Sequence, residues 1–291
     1  MARAATRSRT KAAATKTHAA VVIAAALAAS WDRVEGELER YRREPKDAGT
    51  HDLRVGLRRL LAATELARAL EPEGLPEKLV SRAKHLLSAL SPLRDIEIQR
   101  EAVDQSGLDE PARQTLLAWL EKRERKLGKK IHRRITRFPT EEMRLGMLSA
   151  VALLEQRAHD PSRSAELVIL GKVGEAYAAF DRRRRAAQEA DLEVLHRVRI
   201  AFKKFRYAVE LGGPLLRTPP QQQKDALKRF QDELGALQDS VVVLELFDRR
   251  AVTREVAGAL RIEQGRLATQ VRELLAAQIA GATPEFSEYL A

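Results

Sequence analysis

Cysteine is absent from the 291 residues. That excludes disulfides and thiolate metal sites, and it fits a reducing cytoplasm. Aromatic residues are scarce, at 4% of the chain against 44% hydrophobic residues overall. A core must therefore be built mainly from Leu, Ala and Val, and base-stacking platforms for single-stranded nucleic acid have little to draw on. No apolar run is long enough to span a bilayer. No segment alternates as a half-buried strand does. A Walker glycine loop is missing, and the six histidines show neither HxxxH nor HExxH spacing. Metal binding and phosphoryl transfer, which need converging carboxylates or a positioned nucleophile, are not expected.

What remains is rich in Leu, Ala, Arg and Glu, all strong helix formers. Pro and Gly fall between helical stretches, at Pro45–Gly49, Pro72–Pro76, Ser106–Pro111, Phe138–Thr140, His159–Ser164, Gly212–Pro220 and Gly281–Pro284. The pattern predicts an all-α chain with helices near 18–44, 50–70, 75–104, 109–137, 140–158, 164–190, 191–211, 220–249 and 251–280. Residues 1–16 read as a basic disordered tail. The apolar run HAAVVIAAALAAS that follows has some features of a secretory signal. It continues without a break into WDRVEGELERYRRE, and Val21, Leu27, Trp31, Val34, Leu38 and Tyr41 recur at helical spacing. An amphipathic first helix is the better reading.

Charge is the first functional clue. Lys and Arg number 52 against 41 Asp and Glu, a net of +11. Such a balance attracts polyanions: nucleic acid, an anionic membrane or an inorganic phosphate polymer. Two stretches concentrate it, HDLRVGLRRL at 51–60 and HRVRIAFKKFRYA at 196–208. With His51 laid on His196, Arg54 meets Arg199, Arg58 meets Lys203 and Arg59 meets Lys204. Val55, Leu57 and Leu60 meet Ile200, Phe202 and Phe205. At nearly the same offset Lys84 meets Lys228, Leu90 meets Leu234, Leu93 meets Leu237 and Asp95 meets Asp239. Matched blocks in one order predict duplicated helical halves, 17–158 and 165–286, hinged at HDPSRS.

Helical geometry gives these residues a direction. With His51 at zero, Arg54 falls near about −60°, Arg58 near about −20° and Arg59 near about +80°. Leu53, Leu57, Leu60 and Leu61 cluster at roughly 180° to 280°, on the core side. His196, Arg199 and Lys203 repeat the row, and Arg206 widens it. A solvated charged face usually carries acids at i±4, yet none flanks Arg54, Arg58, Arg59, Lys203 or Lys204 at that spacing. Arg and Lys donate charge-assisted hydrogen bonds to phosphate oxygens. Two such rows in one cavity would suit a long, flexible, repeating anion.

Together HDLRVGLRRL, LSPLRDIEI, LHRVRIAFKKFRYAVEL and the QDELGALQDS block resemble the CHAD family, the conserved-histidine α-helical domain. The resemblance runs over roughly 17–286, with paired H-x-x-R-[VI]-x-x-[RK]-[RK] blocks followed by RD or QD. It implies a domain of two pseudo-symmetric four-helix bundles. It also implies non-enzymatic binding of inorganic polyphosphate through a basic central surface, and association with polyphosphate granules in the cytoplasm. Carried over, the binding residues are His51, Arg54, Arg58, Arg59, Lys84 and Arg94 from the first half. The second half gives His196, Arg199, Lys203, Lys204, Arg206 and Lys228. Arg94 has Gln238 as its counterpart and Arg206 has Leu61, so the halves are not equivalent there. Asp95 and Asp239 are expected to hold Arg or Lys side chains, or to cap a helix, rather than do chemistry. No cofactor or membrane partner is implied. The competing readings are a nucleic-acid-binding helical protein and a helical scaffold for a protein partner.

Overall fold

A computed structural model describes residues 18–45, 50–159, 164–186, 192–216, 221–248 and 258–267, with 269–270 and 273. The tail at 1–16 lies outside the described residues, as do most of the hinge and the end of the second half. The described chain is helical, with no strand among those residues. Its elements are α1 (Ala19–Arg43), α2 (Thr50–Leu70), α3 (Glu77–Asp104), α4 (Glu110–Thr136), α5 (Thr140–Arg157), α6 (Ser164–Ala186), α7 (Leu192–Gly212) and α8 (Gln221–Asp248). A short 3-10 turn at Gly213–Leu215 ends α7, and 258–267 is helical again.

Local chemistry explains the boundaries. His18 accepts the Ala20 N–H at 3.4 Å as the N-cap of α1. Asp109 caps α4 by accepting the Ala112 N–H at 2.9 Å, with Pro111 in the first turn, where its missing N–H costs nothing. The apolar run at 18–30 is the first part of α1, and Ile23, Leu27, Trp31, Val34 and Leu38 are buried in the core. Val21, counted on the apolar side from its spacing, is 45% exposed instead. Small residues let α1 and α2 approach closely: a Cβ on Gly56 would stand 3.3 Å from the Val34 side chain.

Two apolar clusters hold the fold. The first is built by α1–α5, and it also takes in Leu211 of α7 and Val243, Leu246 and Phe247 of α8. The second joins α6, α7 and α8 around Phe180, Phe202, Phe205 and Phe230, whose rings meet at 4.8–6.2 Å between centroids. Burying rings of this size dominates core energetics. In α2, Leu53, Leu57 and Leu60 all face the first core as their spacing predicts. Ile200, matched to Val55 in the sequence, is 45% exposed and is not a core residue.

The clusters meet where α2 runs beside α7 and α3 beside α8. Arg59 of α2 pairs with Glu210 of α7 at 3.4 Å, and Lys204 of α7 with Glu65 of α2 at 4.0 Å. The reversed order of these pairs makes the two helices antiparallel. On the other side Gln99 of α3, buried, donates to the Val242 carbonyl of α8 at 3.2 Å and accepts from Arg123 of α4 at 3.3 Å. No described helix is long and apolar enough to cross a membrane.

Candidate functional site

The antiparallel α2–α7 pair brings the two basic rows together. Arg54 and Arg58 come from α2; Arg199, Lys203 and Arg206 come from α7. α3 adds Arg94 and Asp95, and α8 adds Asp239. The rows act on one another electrostatically: the Arg58 charge lowers the pKa of Arg54, Arg199 and Lys203 alike. Four residues, Arg54, Arg58, Arg199 and Lys203, make no ion pair with any described carboxylate.

Burial sharpens this like-charge contact. Arg54 is only 6% exposed. Its desolvation and the Arg58 charge pull its pKa down to about 10, against the partial support of Asp95. Lys203 falls further, to about 7, through burial first and then Arg199, Arg58, Arg206 and Arg54. Burial and Arg58 also lower Arg199, which Asp239 partly offsets. Among the described residues, Nη1 of Arg54 and Nε of both Arg199 and Arg206 are buried donors without an acceptor. Each such group costs about 1–3 kcal/mol in a folded protein.

The two aspartates belong to the same network. Burial raises both carboxyls above the usual range; Arg54 and Arg123 oppose this at Asp95, and Arg94, Arg199 and Lys203 oppose it at Asp239. Arg94 donates to Glu97 at 3.2 Å and lies 3.9 Å from Asp239, so it links α3 to α8 across the junction. Asp239 is thus in ion-pair range of Arg94, while Asp95 acts on Arg54 through its charge alone.

The remaining sequence-predicted residues divide by position. Arg59 and Lys204 tie α2 to α7 through Glu210 and Glu65. Arg206 bonds to Glu210 and lies over the Tyr207 ring, 4.6 Å from its centre. His196 is exposed, and its Nδ1 meets Oε1 of Gln238. Lys84 is exposed and 3.6 Å from Glu77, which Arg68 also binds. His51 and Lys228 are exposed, and no hydrogen bond or ion pair joins them to the cluster among the described residues. The expectation that the whole stripe lies opposite the core is corrected for Arg54, which is buried within reach of the charges of Arg94, Asp95 and Glu97 on α3. The absence of acids at i±4 also holds only for part of the row, because Glu210 stands four residues after Arg206.

Glu210, Gln99 and Arg123 were not singled out in the sequence. Glu210 carried a signal, the i,i+4 spacing to Arg206. Gln99 and Arg123 carried none, since their partners lie on other helices. The described residues contain no group of three or more His, Cys, Asp or Glu placed to hold a metal ion. The arrangement offers many cationic donors and few acceptors, the inverse of an anionic polymer's chemistry.

Comparison with known proteins bears on the fold. The model of the CHAD domain family matches residues 25–248. Among solved structures the chain is similar to the CHAD domain from the plant Ricinus communis, at 23% identity and a TM-score of 0.70. That match covers 92% of this chain and 94% of the plant domain. No curated protein matches the chain.

Proposed function

The chain belongs to the CHAD family, and on that premise we propose that it binds inorganic polyphosphate at the junction of α2 and α7, without catalysis. One observation carries the reading. Burial desolvates Arg54, Arg199 and Lys203 within reach of the Arg58 charge, and none of the four makes an ion pair with a described carboxylate. Desolvated like charges destabilise a fold unless something compensates them. A chain of phosphates supplies negative charge and acceptor oxygens at once. It also releases counterions along its length, so that weak contacts add.

Arg54, Arg58, Arg199, Lys203 and Arg206 form the centre of the binding surface in this reading. Arg94 extends it toward α8, and Arg59 and Lys204 set the spacing of α2 and α7. His51, His196, Lys84 and Lys228 are outlying contacts for a ligand longer than the cluster. The physiological setting we infer is the cytoplasm, at polyphosphate granules.

Nucleic acid is the competing polyanion. Tyr207, the aromatic residue beside the cluster, is buried and covered by Arg206, so it offers no platform for a base. Competition between long-chain polyphosphate and duplex DNA or RNA, at equal phosphate concentration, tests the assignment. Polyphosphate should resist displacement; ready displacement by nucleic acid would overturn it.

A further inference from the structure

A second basic site lies away from the α2–α7 junction. Between the first turns of α3 and the last turns of α4, a concavity of about 420 Å³ is lined by Arg82, His85, Lys130, Arg133, Arg134 and Arg137. Leu86, Phe138 and Pro139 add an apolar part to the lining. The α4 residues share one stripe: with Lys130 at zero, Arg133, Arg134 and Arg137 fall near about −60°, +40° and −20°. On α3 the cluster residues Arg94 and Asp95 lie roughly 120° and 220° around the axis from Arg82. The concavity therefore opens on a different face.

Basic residues late in a helix often do no more than complement its dipole or bind its last carbonyls. Here that work is largely done by other groups. Arg42 of α1 donates to the Ile135 carbonyl at 3.2 Å and to the Phe138 carbonyl at 3.4 Å. The Phe138 N–H also reaches Ile135 O, and the Arg137 N–H reaches Arg133 O, both at 3.2 Å. Of the stripe only Arg133 spends its side chain on a carbonyl, that of Lys129 at 3.4 Å. Lys130, Arg134, Arg137 and His85 have no hydrogen bond or ion pair with a described residue. The adjacent carboxylate, Glu142, is occupied by Lys78 and Arg82. Like charges at i, i+3, i+4 and i+7 repel, at a few tenths of a kcal/mol per pair.

The lining combines clustered cations with an apolar wall. Phosphate oxygens match the guanidinium and ammonium groups, and Arg also stacks on planar rings. An unbranched inorganic phosphate chain has no use for Leu86, Phe138 and Pro139. The volume lies within the range of small-molecule sites, roughly 300–1,000 Å³. We propose that this concavity is a separate site for a nucleoside di- or triphosphate, its phosphates on Lys130, Arg134 and Arg137 and its base against Phe138 and Pro139. The site is independent of polyphosphate binding at the junction.

Calorimetry on the full chain with ATP, inorganic tripolyphosphate and adenosine tests this. ATP should bind at about one per chain, as for any single site. Arg134→Ala with Arg137→Ala should weaken ATP about tenfold or more without shifting the melting temperature, because both side chains are exposed. Arg58→Ala with Arg199→Ala should leave ATP affinity within about twofold. In that background tripolyphosphate should bind more weakly than ATP, and adenosine more weakly than either. No ATP binding, or loss confined to the junction variant, would overturn the site. Tripolyphosphate matching ATP would overturn its assignment to a nucleoside phosphate.

Discussion

Arg58 of α2 is the charge that bears most strongly on Arg199 of α7, and the two come from opposite halves of the chain. Their repulsion is held in place by α2–α7 packing and by the flanking pairs Arg59–Glu210 and Lys204–Glu65. Exposed pairs of that kind contribute at most about 1 kcal/mol each. The apolar cores on either side must therefore carry the cost of keeping the cations together.

Arg54 gives the sharpest stability prediction. It is buried, and its Nη1 has no described acceptor. Arg54→Met should raise stability without ligand by about 1–3 kcal/mol, the cost of one unsatisfied buried donor. Asp95 would lose one partner but keep Arg123 nearby. Polyphosphate affinity should fall about tenfold. Thermal melts with and without polyphosphate check both; a lower melting temperature with unchanged affinity would contradict the assignment.

Lys203 predicts a pH dependence. Its folded pKa is lowered to about 7 from 10.5 by burial, Arg199, Arg58, Arg206 and Arg54, with Asp239 facing it from α8. Between those values the unfolded chain holds more protons, so stability without ligand should rise with pH across that window. Below about 7 the folded protein also carries the proton, and the full penalty is present. A bound polyanion favours the charged form. Affinity should therefore be highest below about pH 7 and decline above it, with uptake of up to about one proton on binding. Lys203→Arg should flatten that profile; an unchanged profile would assign the titration elsewhere.

Much of this was legible in the sequence because helices announce themselves locally. The expected 50–70 helix is α2 as observed, and the others up to 220–249 differ by a few residues at their described ends, while most of the expected 251–280 helix lies outside the described residues. The rows on α2 and α7 could be read from spacing alone. Burial of Arg54 could not, because it depends on how neighbouring helices pack around a residue whose own helix marks it as polar. Arg59 and Lys204 looked unpaired for the same reason: Glu210 and Glu65 reach them from other helices. Periodicity reports the face of one helix, and partner identity is set by how helices pack.

Leu57 separates fold from function. It is fully buried in the first core, about 100° around α2 from Arg58. Leu57→Asp buries a charge without a partner and should remove several kcal/mol, a large part of a typical domain stability of about 5–15 kcal/mol. Urea denaturation should show the loss. A variant that stayed as stable as the wild type would contradict the packing of α2 described here.

Salt provides an independent check. Polyphosphate binding should weaken linearly on a log–log plot against salt, with about −0.7 of slope per neutralised phosphate if it behaves as a single-stranded polyanion. A response without slope would mean that charge does not drive association.

The most direct measurement is calorimetric titration of long-chain polyphosphate into the wild type and into Arg58→Ala with Arg199→Ala, at one pH and ionic strength. Two lost charge-assisted contacts predict an affinity reduced by about a hundredfold, with the melting temperature of the free protein held or raised. An affinity equal to that of the wild type would contradict the claim that facing cations on α2 and α7 form the binding surface.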